Sequence, residues 1–226
     1  MSSPDGPRTG RPTTRGERGM VTTSHHLATA AGVAALRQGG SAVDAAIAAN
    51  VVLCVAYPHM AGIGGDGFWL VKAPDAAVRA INASDPAAGA ATRERYRSLG
   101  HDRAIPARGP LAALTVPGAV DGWRLAHEAH GRLDWSTLFA DGIALARTGV
   151  PVGRSLADWS AKDASLLRTH DVAASIFLPG GRPPREGDRL VQADLAGSLQ
   201  AIAAGGARST PSSSRSSTNR AGAPSS

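Results

Sequence analysis

Apolar positions recur at helical spacing twice in quick succession near the start of the chain. "LATAAGVAALRQ", from Leu27 to Gln38, predicts a helix stopped by Gly39-Gly40. "SAVDAAIAANVVLCVAYP", from Ser41 to Pro58, predicts a second helix. Ser41 is suited to the N-cap, Asp44 can reach back to the free first-turn amides, and Pro58 lies beyond the end. Aromatic and β-branched runs at Phe68–Lys72 and Val78–Asn82, separated by "APDAA", predict the two strands of a hairpin. Met20–Thr23 and Ala113–Val116 read as shorter strands. The second half is helical. "GAVDGWRLAHEAH" sets Val120, Trp123, Leu125 and Ala126 near one face, and "DWSTLFADGIALARTG" turns Leu138, Ile143 and Leu145 inward. A further helix is expected from about Ser155 to Leu167, a loop over "GGRPPREGDRL", and a closing amphipathic helix over "QADLAGSLQAIAAGG".

Both ends depart from this pattern. Residues 1–18 are rich in Pro, Gly, Arg and Thr and read as a disordered arm. Residues 207–226 hold no periodic apolar position and read either as a disordered tail or as GC-rich DNA translated in a shifted frame. The globular unit is therefore expected over 19–206. The formal charge of +6 invites a nucleic-acid reading, but its location removes it. Residues 1–18 carry +2 and residues 207–226 carry +3, leaving +1 for everything between. A nucleic-acid-binding domain shows its basic face on the folded part, so no nucleic-acid partner is expected. No window is long and apolar enough for a membrane span, and the N-terminus has no apolar signal core. The expectation is a cytoplasmic protein without a membrane partner. Cys54, the single cysteine, sits among Val51, Val52, Leu53 and Val55 and reads as a buried, inert thiol.

Three stretches tempt a chemical reading. "AGIGGDGFWLV" contains G-x-G-x-x-G at Gly62, Gly64 and Gly67. A dinucleotide loop needs a strand before the glycines and a helix opening after them. Here a helix precedes and a strand follows, so turns or close backbone approach explain the glycines better. "HEAH" spaces His127 and His130 three apart, where the metalloprotease motif needs four, and the pair reads as solvent-facing. His25, His26, His59, His101 and His170 form no metal spacing. A threonine nucleophile at Thr22 or Thr23 would have to be freed as an N-terminus. Nothing marks a cleavage site there, so Thr22–His26 reads as strand end and helix cap.

Taken together, three segments resemble the gamma-glutamyltransferase (gamma-glutamyltranspeptidase) family. They are "TTSHHLATAAGVAALRQGGSAVDAAIAANVVLCVAYPHMAGIGGDGFWLV", "VPGAVDGWRLAHEAHGRLDWSTLFADGIALARTGVPV" and "GDRLVQADLAGSLQAIAAGG". The run "YPHMAGIGGDGFWLV" looks closest to a branch of gamma-glutamyltransferase-like proteins that includes oxamate amidohydrolases. The resemblance implies an α+β fold, the helix-rich and incomplete part of an N-terminal nucleophile hydrolase αββα sandwich. It also implies a self-cleaving precursor whose freed threonine attacks the amide of a gamma-glutamyl compound such as glutathione.

Two departures qualify what the resemblance transfers. The family nucleophile opens the small subunit in a Thr-Thr-His-like sequence, whereas this chain corresponds to about the first half of the large subunit. A truncated member, inactive by itself, is therefore expected, with no catalytic residue, metal ligand or cofactor carried over. Its partner would be a small-molecule amide substrate only once the remaining half completes the site. A non-catalytic module that pairs with a separately encoded second half is the alternative. The family also clamps the substrate α-carboxylate with an arginine in a segment like "INGSGRAP". Aligned without gaps, "INASDPAAGAAT" places Pro86 at that arginine, with Asn82, Ser84 and Asp85 as weak neighbours.

Overall fold

The structure is a computed structural model that describes residues 14–205. The frameshift-or-tail segment 207–226 lies outside the described residues, as does most of the expected arm 1–18; within that arm, 14–18 are exposed and without regular structure.

The two alanine-rich helices form as the pattern predicts: α1 is His26–Arg37 and α2 is Ala42–Ala56. The Ser41 hydroxyl accepts from the Asp44 amide at 3.1 Å, and the Asp44 carboxylate accepts from the Ser41 amide at 2.7 Å, closing a reciprocal capping box. Small residues let α1 lie closely against α2. Ala28, Ala31 and Ala35 are buried, and the Gly32 Cα faces Val21 and the Ala45 carbonyl with no room for a larger side chain. Helix α2 is the axis of the core, with Ile47, Val51, Val52 and Val55 wholly buried.

Strands β1 (Gly67–Val71) and β2 (Arg79–Ala83) pair antiparallel, with Trp69 opposite Ile81 and Phe68 opposite Asn82. The short helix α3 (Arg93–Ser98) follows, and then α4 (Ala119–His130), whose Trp123 packs against Phe139. A 3-10 turn at Trp135–Phe139 leads into α5 (Ala140–Thr148). Strand β3 (Val150–Pro151) pairs later with β4 (Arg189–Leu190). Between them run α6 (Arg154–Lys162), α7 (Ala164–Leu167) and α8 (Asp171–Phe177). Helix α9 (Ala193–Gly205) returns to the core through Ala196, Leu199 and Ile202. Gln192, 5% exposed, joins three of these elements: its side-chain amide donates to the Val55 carbonyl and its backbone amide to the Ala146 carbonyl.

Several expectations are corrected. Met20–Thr23 is not a strand; a strand needs a hydrogen-bonded neighbour, and none lies beside it among the described residues. Ala113–Val116 shrinks to one bridge, Ala87 with Thr115, beside a 3-10 turn at Pro110–Ala112. The single helix expected over 134–149 opens as a 3-10 turn instead. The helix expected over 155–167 breaks at Asp163, whose carboxylate is drawn to Arg108 at 2.7 Å. The loop over 180–190 contains β4. Helices α3 and α8 lie where no helix was expected; α3 is capped by the Thr92 hydroxyl at 3.2 Å.

Candidate functional site

The glycine loop 62–67 stands between α2 and β1, so the order is helix, glycines, strand. Its work is to seat α4. The Gly65 carbonyl accepts from the amides of Gly118 (3.1 Å) and Ala119 (2.9 Å), satisfying donors at the start of that helix. The helix then lies unusually close to the hairpin. A Cβ at Gly118 would strike the Ala83 carbonyl oxygen, and one at Gly122 would lie 2.7 Å from the Ala83 Cβ. Gly118 and Gly122 are close-approach glycines, whereas a Cβ at Gly62 or Gly64 would meet open space and one at Gly67 only ordinary contact with Ala119, so close approach does not explain the motif glycines. The first amides of α4 are taken by the Gly65 carbonyl rather than left for a pyrophosphate.

The loop walls an open cleft of about 860 Å³, floored by Asn50 of α2, Trp69 and Trp123 and flanked by His59 and Phe68. Burial holds His59 below the ordinary histidine value, and its Nε2 lies 2.9 Å from the Ser155 hydroxyl. No Ser, Thr or Cys is among the described residues that line this cleft. Cys54 is on the wall of a neighbouring cavity, where burial pushes its thiol up to about 12, well away from a thiolate nucleophile.

The register sets Asn82 opposite Phe68, a residue of the cleft wall, but none of Asn82 to Pro86 is itself on that wall. The exposed Asn82 side-chain oxygen accepts from the Ser84 amide (3.0 Å) and hydroxyl (2.8 Å). Asp85 turns toward the first residue before α4, close to Gly118. Pro86 is exposed, and its carbonyl accepts from the Val116 amide at 3.1 Å. A proline fits there because the bridge uses its carbonyl and the Ala88 amide.

The threonines and histidines have other employment. Thr23 Oγ1 donates to the His25 carbonyl at 2.7 Å and lies 2.8 Å from the Thr29 hydroxyl, while His25 Nδ1 accepts from the Leu27 amide as the cap of α1. The helix-cap reading of this segment holds where the strand reading does not. His25, Tyr57 and His59 form a run of neighbouring rings, His25 to Tyr57 at 6.4 Å and Tyr57 to His59 at 4.2 Å. No cluster of His, Cys, Asp and Glu suited to a metal occurs among the described residues.

His127 is not solvent-facing. Its ring meets Trp135 edge-on at 5.3 Å, and its Nε2 lies 2.9 Å from the Leu133 carbonyl and 3.6 Å from Asp44 Oδ1. The reason is Asp44, wholly buried, whose Oδ2 also accepts from the amides of Arg132 and Leu133 at 2.9 and 3.3 Å. The capping residue of α2 thus fastens the turn after α4, and the chain that it draws in carries the rings that cover His127. The sequence signalled the cap; nothing local signalled a partner 88 residues away.

The described residues form a helix-rich α+β chain with two two-stranded sheets, and the solved structures on which it superposes are of the N-terminal nucleophile hydrolase class. It superposes on gamma-glutamyltranspeptidase from Helicobacter pylori with a TM-score of 0.79 at 28% identity, covering 86% of this chain and 56% of that one. On cephalosporin acylase from Bacillus halodurans the TM-score is 0.78 at 32% identity, covering 91% and 40%. The gamma-glutamyltranspeptidase family profile matches residues 28–210, and the chain belongs to that family. Among curated relatives, oxamate amidohydrolase proenzyme of Klebsiella pneumoniae is 44% identical over 193 residues, and glutathione hydrolase-like YwrD proenzyme of Bacillus subtilis is 39% identical over 189. Each match covers 83% of this chain, but only 36% and 35% of the relative; the chain spans about a third of the length of these proteins. Among the described residues no helix is long and apolar enough to cross a membrane.

Proposed function

We propose that this chain is the N-terminal share of a gamma-glutamyltranspeptidase-family amide hydrolase and that by itself it does not turn over substrate. The observation that carries this reading is the pairing of a strong match with a short one: most of the chain aligns, yet it accounts for about a third of the relatives' length. The family nucleophile is a threonine that opens the small subunit, and no segment here resembles that opening. The cleft supports the same reading, since it offers apolar surface, Asn50 and His59 but no hydroxyl or thiol on its wall. A nucleophile, its amine base and oxyanion donors would come from the remaining part of the fold.

The substrate of the completed enzyme is proposed to be a small amide of the oxamate type rather than glutathione. Pro86 stands at the family's arginine for the glutamyl α-carboxylate and cannot make a bidentate pair, and Asp85 beside it repels a carboxylate at that place; oxamate, itself a carboxylate, would have to be held by other residues of the completed site. Resemblance to the oxamate amidohydrolase relative points the same way. The test is to incubate purified chain with gamma-glutamyl-p-nitroanilide and with oxamate while following its intact mass. No turnover and a single unchanged mass are expected. A specific internal cut, or turnover abolished by Thr22→Ala or Thr23→Ala, would overturn the proposal.

A further inference from the structure

A second cavity, of about 410 Å³, opens on the other side of His59, between the loop that carries Pro58 and Met60 and the helices α6, α7 and α8. It lies in the range of small-molecule sites. Its walls are apolar, from Leu156, Trp159, Leu166, Leu167 and Phe177. The contact of His59 with Ser155 pins the loop to the start of α6 and so fixes one wall. Ser160, 5% exposed as a residue, supplies the one hydroxyl of this lining to a polar atom of an occupant.

The charge at the mouth selects the sign of that occupant. Arg108, on the cavity wall, and Lys162, next to it but not on the wall, lie over the Trp159 ring at 5.9 and 4.3 Å from its centroid, and Asp163 is the carboxylate on the wall. Asp163 engages one terminal nitrogen of Arg108, at 2.7 Å. A guanidinium carries five donors in a planar fork, so others remain for a second anion. We propose that this cavity is a binding site for a small monoanion with an aromatic or branched apolar body, an arylacetate-like carboxylate. The body lies against Trp159, Leu166 and Phe177, and the carboxylate meets Arg108. The site shares Pro58, His59 and Met60 with the glycine-loop cleft, but its aromatic and charged contacts lie on other residues, and it does not depend on the proposed amide hydrolysis.

Phenylacetate, acetate and phenethylamine, titrated calorimetrically into the full chain, separate the contributions of body and charge. Phenylacetate is expected to bind saturably at one site, with acetate, which lacks the body, and phenethylamine, which reverses the charge, each at least roughly tenfold weaker. Arg108→Ala, at an exposed side chain, is expected to weaken phenylacetate by roughly tenfold or more, the usual loss for a charge-assisted contact, with an unchanged circular dichroism spectrum. No saturable binding of phenylacetate, equal binding of phenethylamine, or binding of phenylacetate that Arg108→Ala leaves intact would each overturn the proposal.

Discussion

Helix α2 and the β1–β2 hairpin are both apolar, yet the fold treats them differently. Eleven of the 15 residues of α2 are buried, and α1, α4, α5 and the turn before α5 cover it from several sides. The hairpin is covered on one face only. Trp69, Val71 and Ile81 turn toward α4 and the core, while Phe68 and Leu70 on the opposite face are 72% and 79% exposed. Two large apolar side chains side by side in water mark an interaction surface rather than a finished exterior. The difference is that the described residues cover one face of the hairpin and leave the other exposed.

The comparison breaks most visibly at α2. Replacing Asp44 with Ala removes the acceptor for the Ser41 amide and for the Arg132 and Leu133 amides together, and is expected to cost on the order of 3 kcal/mol. Ile47→Ala, at a wholly buried position, is expected to cost about 2–5 kcal/mol. Urea denaturation measures both. The matching change on the hairpin, Phe68→Ser with Leu70→Ser, is expected to leave the unfolding free energy within about 0.5 kcal/mol of the parent, as surface changes do. The same double variant should lower binding of the dye ANS and reduce aggregation. A core-sized loss of stability there would mean that the face is already covered.

The sequence made α2 legible because its signals are local: a capping serine, an acid three residues on, a run of alanines and a terminal proline. The hairpin was legible for the same reason, within about one residue at its ends. Met20–Thr23 and Ala113–Val116 were misread because β-branched composition does not supply a pairing partner. The role of Asp44 was half visible, since the reciprocal cap is written within four residues while its hold on Arg132 and Leu133 comes from folding alone. His127 failed for that reason too: helical spacing gave no sign that the turn after α4 would bring Trp135 over its ring. At the cleft, the order of helix, glycines and strand excluded a dinucleotide loop, but the docking of Gly65 onto the start of α4 required the fold.

Smaller effects sharpen the contrast. Burial holds both His25 and His59 below the ordinary value of 6.5, so the folded state binds protons less readily than the unfolded chain. Their contribution is therefore fully present above 6.5 and declines as pH falls below it toward their lower folded values. Thermal unfolding from pH 8 down to pH 5 should show this loss, reduced in His59→Asn. Cys54 supplies a silent reporter for α2. With its thiol pushed up to about 12 and its side chain buried, it should resist DTNB in native buffer and react at once in denaturant. Prompt native labelling would place α2 among the mobile parts.

Peptide-resolved native-state hydrogen exchange compares the two regions directly in one sample. Amides in the middle of α2, around Ile47 to Val55, are expected to exchange only through global unfolding, whereas those of Phe68–Val71 and Arg79–Ala83 exchange much faster through local opening. Equal, core-level protection in both would contradict the account of a closed helix beside an open sheet face.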